Sequence, residues 1–461
     1  MRNRFAGVVL LGVASCNLAP RHERPLAPTP MEFPAEIRAD SLAGTDAARL
    51  DWRAFFVDPR LKALVAEALE QNRDLVVAVA RIDEARGLYR IQGADRLPTL
   101  VAGAEATRSG GAPGTATIDR FSVGVGVASF ELDFWGRVRN LSEAARAQFL
   151  ATVQAQRAFH LSLIGQVAST YLASLEAAER IHLAEATVES RRAGLRIAQT
   201  RLEAGITSAL DFRQAEALLM QAETELAGLR LTDARTSNAL AVLVGGPLPE
   251  DLPAPLSLTE QRGMVPLAAG LPSALLTARP DIMAAEEQLR AARAHVGAAR
   301  AAFFPSISLT GLFGFASNEL ADLVGADGRS WSFGPAITMP LFTGGRLKGN
   351  LTVARAREHI AVAAYERTVQ EAFREVADAL AGRRYLAEQV AAQERSTQAQ
   401  RQIAELATIR YNEGVVGYLE VLDAERNLFA AEQALLQLRR AEVDNLVRLY
   451  VALGGGMITA P

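Results

Sequence analysis

Glu420 and Asp423 stand three residues apart, just after a glycine-marked break at Gly414–Gly417, and open a helix-forming stretch. That spacing puts both carboxylates on one helix face, and Leu419, four residues before Asp423, shares it. Two kinds of chemistry fit. The acids can complement the positive end of a helix dipole, worth about 0.3–1 kcal/mol each. Repeated around an axis in an assembly, they can instead form a ring that attracts cations. The earlier acid Asp211, after Gly205, suits the dipole role. No other residues gather into a reactive set. The five histidines (22, 160, 182, 295 and 359) are scattered, with no pair four apart and no carboxylate cluster beside them to hold a metal. Gly344-Gly345-Arg346 lacks the Lys-Ser/Thr and the spacing of a phosphate-binding loop, and no serine lies in a nucleophile elbow. The chain therefore reads as no enzyme, with no cofactor and no metal. Net charge is −3, or −5 without Arg2 and Arg4, and no concentrated basic face suggests nucleic acid.

Cys16 is the only cysteine in 461 residues, which excludes internal disulfides. Arg2 and Arg4 precede a short apolar run, Phe5 through Val13, too short to span a bilayer, and Val13-Ala14-Ser15 leads into the cysteine. This resembles a bacterial lipoprotein signal, with residues 1–15 removed and Cys16 acylated, with palmitate among its chains. Asn17 in the following position favours the outer membrane over the inner. Residues 16–58, with prolines at 20, 25, 28, 30 and 34, read as a lipidated extended tether.

The rest of the chain is one unit written twice, about 208 residues apart. Arg201 through Glu216 recurs as Arg410 through Glu425, with Arg, Gly, Leu, Ala and Glu in matching places and an acid after each Leu. Leu97-Pro98 matches Phe304-Pro305, Gly136-Arg137 matches Gly345-Arg346, and Asn72-Arg73-Asp74-Leu75 matches Arg279-Pro280-Asp281-Ile282. The repeats are 59–246 and 272–455, joined by a proline-rich crossover at 247–271, with a tail at 456–461. A period this long predicts a duplicated domain with a pseudo-twofold, not a solenoid.

No proline occurs between Gly114 and Gly246 or between Leu341 and Ala460, so each repeat has room for very long helices. The first in each window is expected at 137–203 and 346–412, roughly 100 Å long at about 1.5 Å per residue. Gly205 and Gly414 end them, at tips expected over 204–211 and 413–423. A shorter helix follows each tip, about 208–244 and 417–453, and another precedes each strand region, about 73–95 and 281–302. End to end, the two short helices match the long one in length. Leu161, Ile164, Ala168, Tyr171, Leu175 and Ala178, then Ile181, Ala184, Val188, Leu195, Ala198 and Leu202, give a coiled-coil-like seam.

Residues 97–133 and 305–342 change period. Phe121, Val123, Val125 and Val127 alternate with small residues, as do Ile307, Leu309, Phe313 and Phe315, and Trp331, Phe333, Ile337 and Met339. Apolar on one face and small or polar on the other is the pattern of a transmembrane β-barrel. Trp135 and Trp331 fit either interfacial anchoring or plain packing. Four strands per chain cannot close, and open edges in lipid are too costly. Copies must complete the barrel, and a Ser/Gly/Ala inner face favours three copies and twelve strands over a side-chain-filled eight.

Together these features resemble the TolC-like outer-membrane factors, in particular the NodT-type lipoproteins of resistance–nodulation–division efflux pumps. Val244-Gly-Gly-Pro-Leu-Pro249, Gly270-Leu-Pro-Ser273, Arg279-Pro-Asp-Ile282, Phe304-Pro-Ser-Ile307 and Leu422-Asp-Ala-Glu-Arg426 carry the likeness. It implies a homotrimer in outer-membrane lipid, mainly α, with a long helical barrel below a transmembrane β-barrel. A periplasmic adaptor and an inner-membrane resistance–nodulation–division transporter would complete the machine. Leu419, Glu420 and Asp423 match the family's periplasmic gate, with Tyr411 and Arg426 as latch candidates. Gly205, Leu210, Asp211, Gly414 and Gly417 mark tips that meet the adaptor. Some members carry an arginine two residues past the glycine, where this chain has Val416. The same fold serves type I protein secretion, and a structural, non-conducting lipoprotein is a third reading.

Overall fold

The computed structural model describes residues 17–26, 28–30, 32–33, 44–112, 116–268 and 274–456. Residues 1–15 and the acylation candidate Cys16 lie outside them, as do 269–271 of the crossover and the tail beyond Gly456. In chain order the elements are β1 (Thr45–Asp46), α1 (Pro59–Gln71), α2 (Arg73–Ala94), β2 (Leu100–Ser109) and β3 (Ile118–Leu132). Next come α3 (Arg137–Glu203), α4 (Ala209–Val244), β4 (Leu267–Ala268), α5 (Pro280–Ala301), β5 (Ser306–Ser317), β6 (Arg329–Thr338), α6 (Arg346–Asn412) and α7 (Tyr418–Ala452). Both long helices, α3 and α6, have the predicted bounds and 67 residues each.

The chain forms two compact units. Each takes matching parts of both sequence repeats. Among the described residues, one contains those from 17 to 26, 80–154 and 283–368; the other contains those of 28–79, 155–282 and 369–456.

The first unit holds the four-stranded antiparallel sheet, in the order β2-β3-β5-β6. The two hairpins meet through β3 and β5, so β2 and β6 are left as edges. Register brings the apolar residues onto one face: Val125 lies opposite Phe313, Phe313 opposite Trp331, and Ile307 opposite Ile337. Phe313, Trp331, Phe333 and Ile337 are exposed there. A bulge between Val127 and Phe130 restores that face where simple alternation would have lost it, placing Phe130 opposite Leu309 and Leu132 opposite Ile307. Glycines on the other face allow a close backbone approach. A Cβ on Gly124 would sit 2.8 Å from the Phe313 carbonyl oxygen, and one on Gly314 would collide with that of Val123.

At the strand–helix junction, the Trp135 indole N–H donates to the Pro305 carbonyl at 2.8 Å and the ring stacks on Phe304. Trp135 is thus a packing residue, while Trp331 faces outward. Arg137 forks onto Glu131, and Asp133 accepts from the Arg139 backbone N–H at 2.6 Å, tying the end of β3 to the start of α3. Tether residues are seated in this unit along α5. Arg24 donates to Glu286 at 2.8 Å, Arg300 reaches the Leu18 carbonyl, and Gly297 lies directly under Ala19.

The second unit is helical apart from the short β1–β4 pair. Asp58 caps α1, whose first residue is Pro59, and its fully buried carboxylate also takes the Tyr171 hydroxyl and the Gln261 amide. Phe55 stacks on Tyr450 at 4.4 Å. The duplicated Asn72 and Arg279 segments occupy matching helix-to-helix joints. The Asn72 amide donates to the Leu243 carbonyl and its oxygen caps α2 at Leu75. Arg279 donates to the Ala452 carbonyl, next to Gly454, and pairs with Asp281 and Glu375. Along α3 the seam is buried as expected at Leu161, Ile164, Ala168, Tyr171, Leu175, Ala184, Val188 and Ala198. Ala178 is a correction: it is exposed and Ala177 is buried, because the stripe changes phase one residue earlier than a 3–4 step suggests.

Candidate functional site: the helical tips

Both long helices stop in the same way. Gly205 and Gly414 adopt φ of 72° and 73°, a left-handed conformation that favours glycine. Ile206 N–H donates to the Arg201 carbonyl and Gly205 N–H to that of Leu202; Val415 and Gly414 repeat this on Arg410 and Tyr411. The orphan carbonyls at each helix end are thereby satisfied.

Two ion pairs rise from these tips in register. Arg192–Glu223 and Glu185–Arg230 tie α3 to α4. Arg401–Glu432 and Glu394–Arg439 tie α6 to α7 at the same positions of the second repeat. Between α3 and α4, Ala184 and Val188 pack on Leu219, Ala222, Leu226 and Leu229. Between α6 and α7, Ala404 and Ala407 pack on Val421 and Ala424, with Tyr411, Tyr418 and Leu428 at the margin.

The repeats diverge at the break itself. In the first, Ser208 and Asp211 form a reciprocal capping box, and Thr207 and Ser208 also donate their hydroxyls to Asp211. The Thr207 and Ser208 hydrogen bonds hold the Asp211 carboxyl below the usual carboxylate range. Asp211 is thus taken up in the cap at the start of α4. In the second repeat the matching cap position is Gly417, which has no side chain to offer. Glu420, the counterpart of Asp211, turns instead to Arg410 at 2.5 Å. Asp423 pairs with Arg426 at 3.0 Å, one turn along α7.

Leu419 is 48% exposed, without a core around it. Leu210, its counterpart, is also exposed. Tyr411 packs against Tyr418, 5.1 Å between ring centroids, and accepts a hydrogen bond from Arg201 of α3. Arg426, the other latch candidate, stays within its own helix on Asp423.

Sequence reading missed the arginines of α3. Arg191 is buried, donates to the Leu218 carbonyl of α4 at 2.9 Å and lies 5.9 Å from the Phe429 ring centroid of α7. Burial holds its guanidinium below the usual arginine range despite the nearby Glu425 carboxylate, and burial raises the Glu425 carboxyl despite Arg191. The only hint in the sequence was that Arg201 and Arg410 are a matched pair.

Among the described residues no group of His, Cys, Asp or Glu could hold a metal ion, and no helix is long and apolar enough to cross a membrane. The site offers an apolar side chain, paired carboxylates and bulky rings at the end of long helices.

Residues 64–246 and 271–455 each match the family model of the outer membrane efflux protein, one match per repeat. The chain is 42% identical to the cation efflux system protein CusC of Escherichia coli K12, over 97% of this chain and 98% of that one. It is equally identical, 42%, to the toluene efflux pump outer membrane protein TtgI of Pseudomonas putida, over 97% of each. Among solved structures, a membrane protein from Pseudomonas aeruginosa matches at TM-score 0.88 and 39% identity, covering 95% of this chain and all of that one. The open-state MtrE outer membrane channel of Neisseria gonorrhoeae matches at TM-score 0.87 and 40% identity, covering 96% and 99%. With both repeats matched and near-complete coverage, the chain belongs to the outer membrane efflux protein family.

Proposed function

We propose that the exit duct formed by this chain is closed at its periplasmic end by Leu419, Glu420 and Asp423, converging from three copies. The chain is the outer-membrane component of a tripartite efflux system. It forms a trimer, in which the free edges β2 and β6 pair between copies to close a twelve-stranded barrel. The long helices form the periplasmic barrel. A periplasmic adaptor and an inner-membrane transporter, of the resistance–nodulation–division class in our reading, deliver the substrate. Gly205, Leu210, Asp211, Gly414 and Gly417 would face the adaptor.

The observation that carries the gate reading is the loss of the cap in the second repeat. Gly417 replaces a capping serine, and Glu420 and Asp423 are engaged by Arg410 and Arg426 rather than by the α7 N-terminus. Bare like charges roughly 6 Å apart would repel by about 3 kcal/mol at an effective dielectric near 20. An arginine on each carboxylate offsets that repulsion, so a ring of acids can persist beside the apolar Leu419.

The substrate class we infer is small molecules. Relatives named for a cation and for toluene are equally similar to this chain, so we assign selection to the pump rather than the duct. Leu419→Ala with Asp423→Ala is expected to raise single-channel conductance in planar bilayers and to weaken block by multivalent cations. Wild-type values for both in the double variant would refute the gate.

A further inference from the structure

On the sheet face away from the apolar residues, register and the period of two line up Gly103, Gly124 and Gly314, with Leu312 and Ser332 beside them. This is the hollow side: a cavity of about 590 Å³ lies against Gly103, Glu105, Ser122, Gly124, Gly126 and Leu312. In the closed barrel it becomes the bore. Most ionisable side chains of the strands are kept off it or neutralised. Arg108 forks onto Asp119 directly opposite, and Arg329 lies opposite Phe315, all on the apolar face. Glu131 shares the hollow face but is taken by Arg137 at the start of α3. Glu105 and Arg120 are the exceptions. Both lie on the hollow face, toward the β2–β3 hairpin loop, with Glu105 opposite Ser122 and Arg120 opposite Thr107. Both are exposed, and among the described residues neither side chain has an ion-pair or hydrogen-bond partner. Arg108 and Asp119 close on each other because they are directly opposite. Glu105 and Arg120 are diagonal neighbours, about 7–8 Å apart, so each keeps its charge free.

We propose that Glu105 and Arg120 form a charge-balanced ring that lets the exit barrel pass solutes of either sign. Three copies place three carboxylates and three guanidiniums around the bore at one height, on a wall otherwise made of glycine, serine and other uncharged residues. A bore carrying one sign would concentrate one class of ion and exclude the other. Here each class meets an oppositely charged group at the same depth, and the ring as a whole has no net charge. The ring belongs to the sheet and stands whether or not Leu419, Glu420 and Asp423 close the tips.

The test is the reversal potential of purified trimers in planar bilayers under a potassium chloride gradient, for the intact channel and again with Leu419→Ala and Asp423→Ala. Glu105→Gln is expected to lower the ratio of potassium to chloride permeability about threefold, and Arg120→Gln to raise it about threefold, as for one charge per copy partly screened by salt. The two together should restore the starting ratio. Arg329→Gln, on the apolar face, should leave it unchanged. The loop acids Glu319, Asp322 and Asp327 are common to every variant, so the comparison reads the ring alone. Ser122→Cys makes the same test after assembly, when folding is no longer at stake. A cationic thiol reagent should lower the ratio and an anionic one raise it, with the protein that keeps Ser122 as the control. If both single variants leave the ratio where it was in both backgrounds, or move it the same way, the balanced ring is wrong. If the ring variants act while Leu419→Ala with Asp423→Ala alters neither conductance nor cation block, the gate falls and the ring stands.

Discussion

At the scale of single residues, duplication followed by divergence explains most of the tip. One exchange, serine at 208 against glycine at 417, decides whether the neighbouring acid caps a helix or is released to an arginine. The released acid, Glu420, and its neighbour Asp423 are half-exposed, and such pairs contribute only about 0.2–1 kcal/mol each. Their value lies in geometry rather than stability, and for that reason the gate variants should leave folding nearly unchanged. The role expected of Cys16 is one of covalent chemistry. Mass spectrometry of the mature protein should find the chain starting at an acylated Cys16, with residues 1–15 absent. An intact Met1 would refute that. Cys16→Ala should impair sorting to the outer membrane more than trimer stability, because the barrel itself spans the lipid.

At the scale of elements, helices α3 and α6 are long because nothing interrupts them, and each ends where a left-handed glycine allows two carbonyls to be satisfied. The joints between short helices are more demanding. Gly245, at φ 94°, closes α4 directly against the Gln71 carbonyl, where no Cβ has room. Gly245→Ala therefore combines backbone strain with a collision at a joint. It is expected to lower stability by about 2–4 kcal/mol, read as a fall in melting temperature, without altering cation block. The duplicated ion pairs Arg192–Glu223 and Arg401–Glu432 hold each hairpin in register by the same contact, as expected if one ancestral hairpin was copied.

At the scale of the whole molecule, the sheet decides the assembly. β2 and β6 each present one unpaired edge, and in lipid every unpaired backbone group costs several kcal/mol. A native mass near three times 49.4 kDa, before bound detergent and lipid, is the expected result, with no folded monomer in membranes. Successive residues of β2 point their N–H groups alternately at β3 and at the free edge, so of Val101→Pro and Ala102→Pro one should lower trimer yield sharply by removing a donor to the neighbouring copy, and the other should weaken the β2–β3 pairing.

Local chemistry fixed much of this in advance. Pro-free windows set the long helices to the residue, period-2 apolarity found three of the strands and only weakly the fourth, β2, and matched words such as Arg201–Gly205 and Arg410–Gly414 exposed the duplication. Those features depend on backbone sterics and on which face is apolar, and both are written residue by residue. Other features depend on which partner is near in space. The bulge after Val127, the shift of the α3 stripe to Ala177 and the choice of packing over interface anchoring at Trp135 follow from neighbours far along the chain. Arg201 is the clearest case. By sequence it is the twin of Arg410, and only the folded chain, with Asp211 already occupied and Tyr411 within reach, gives it a different partner.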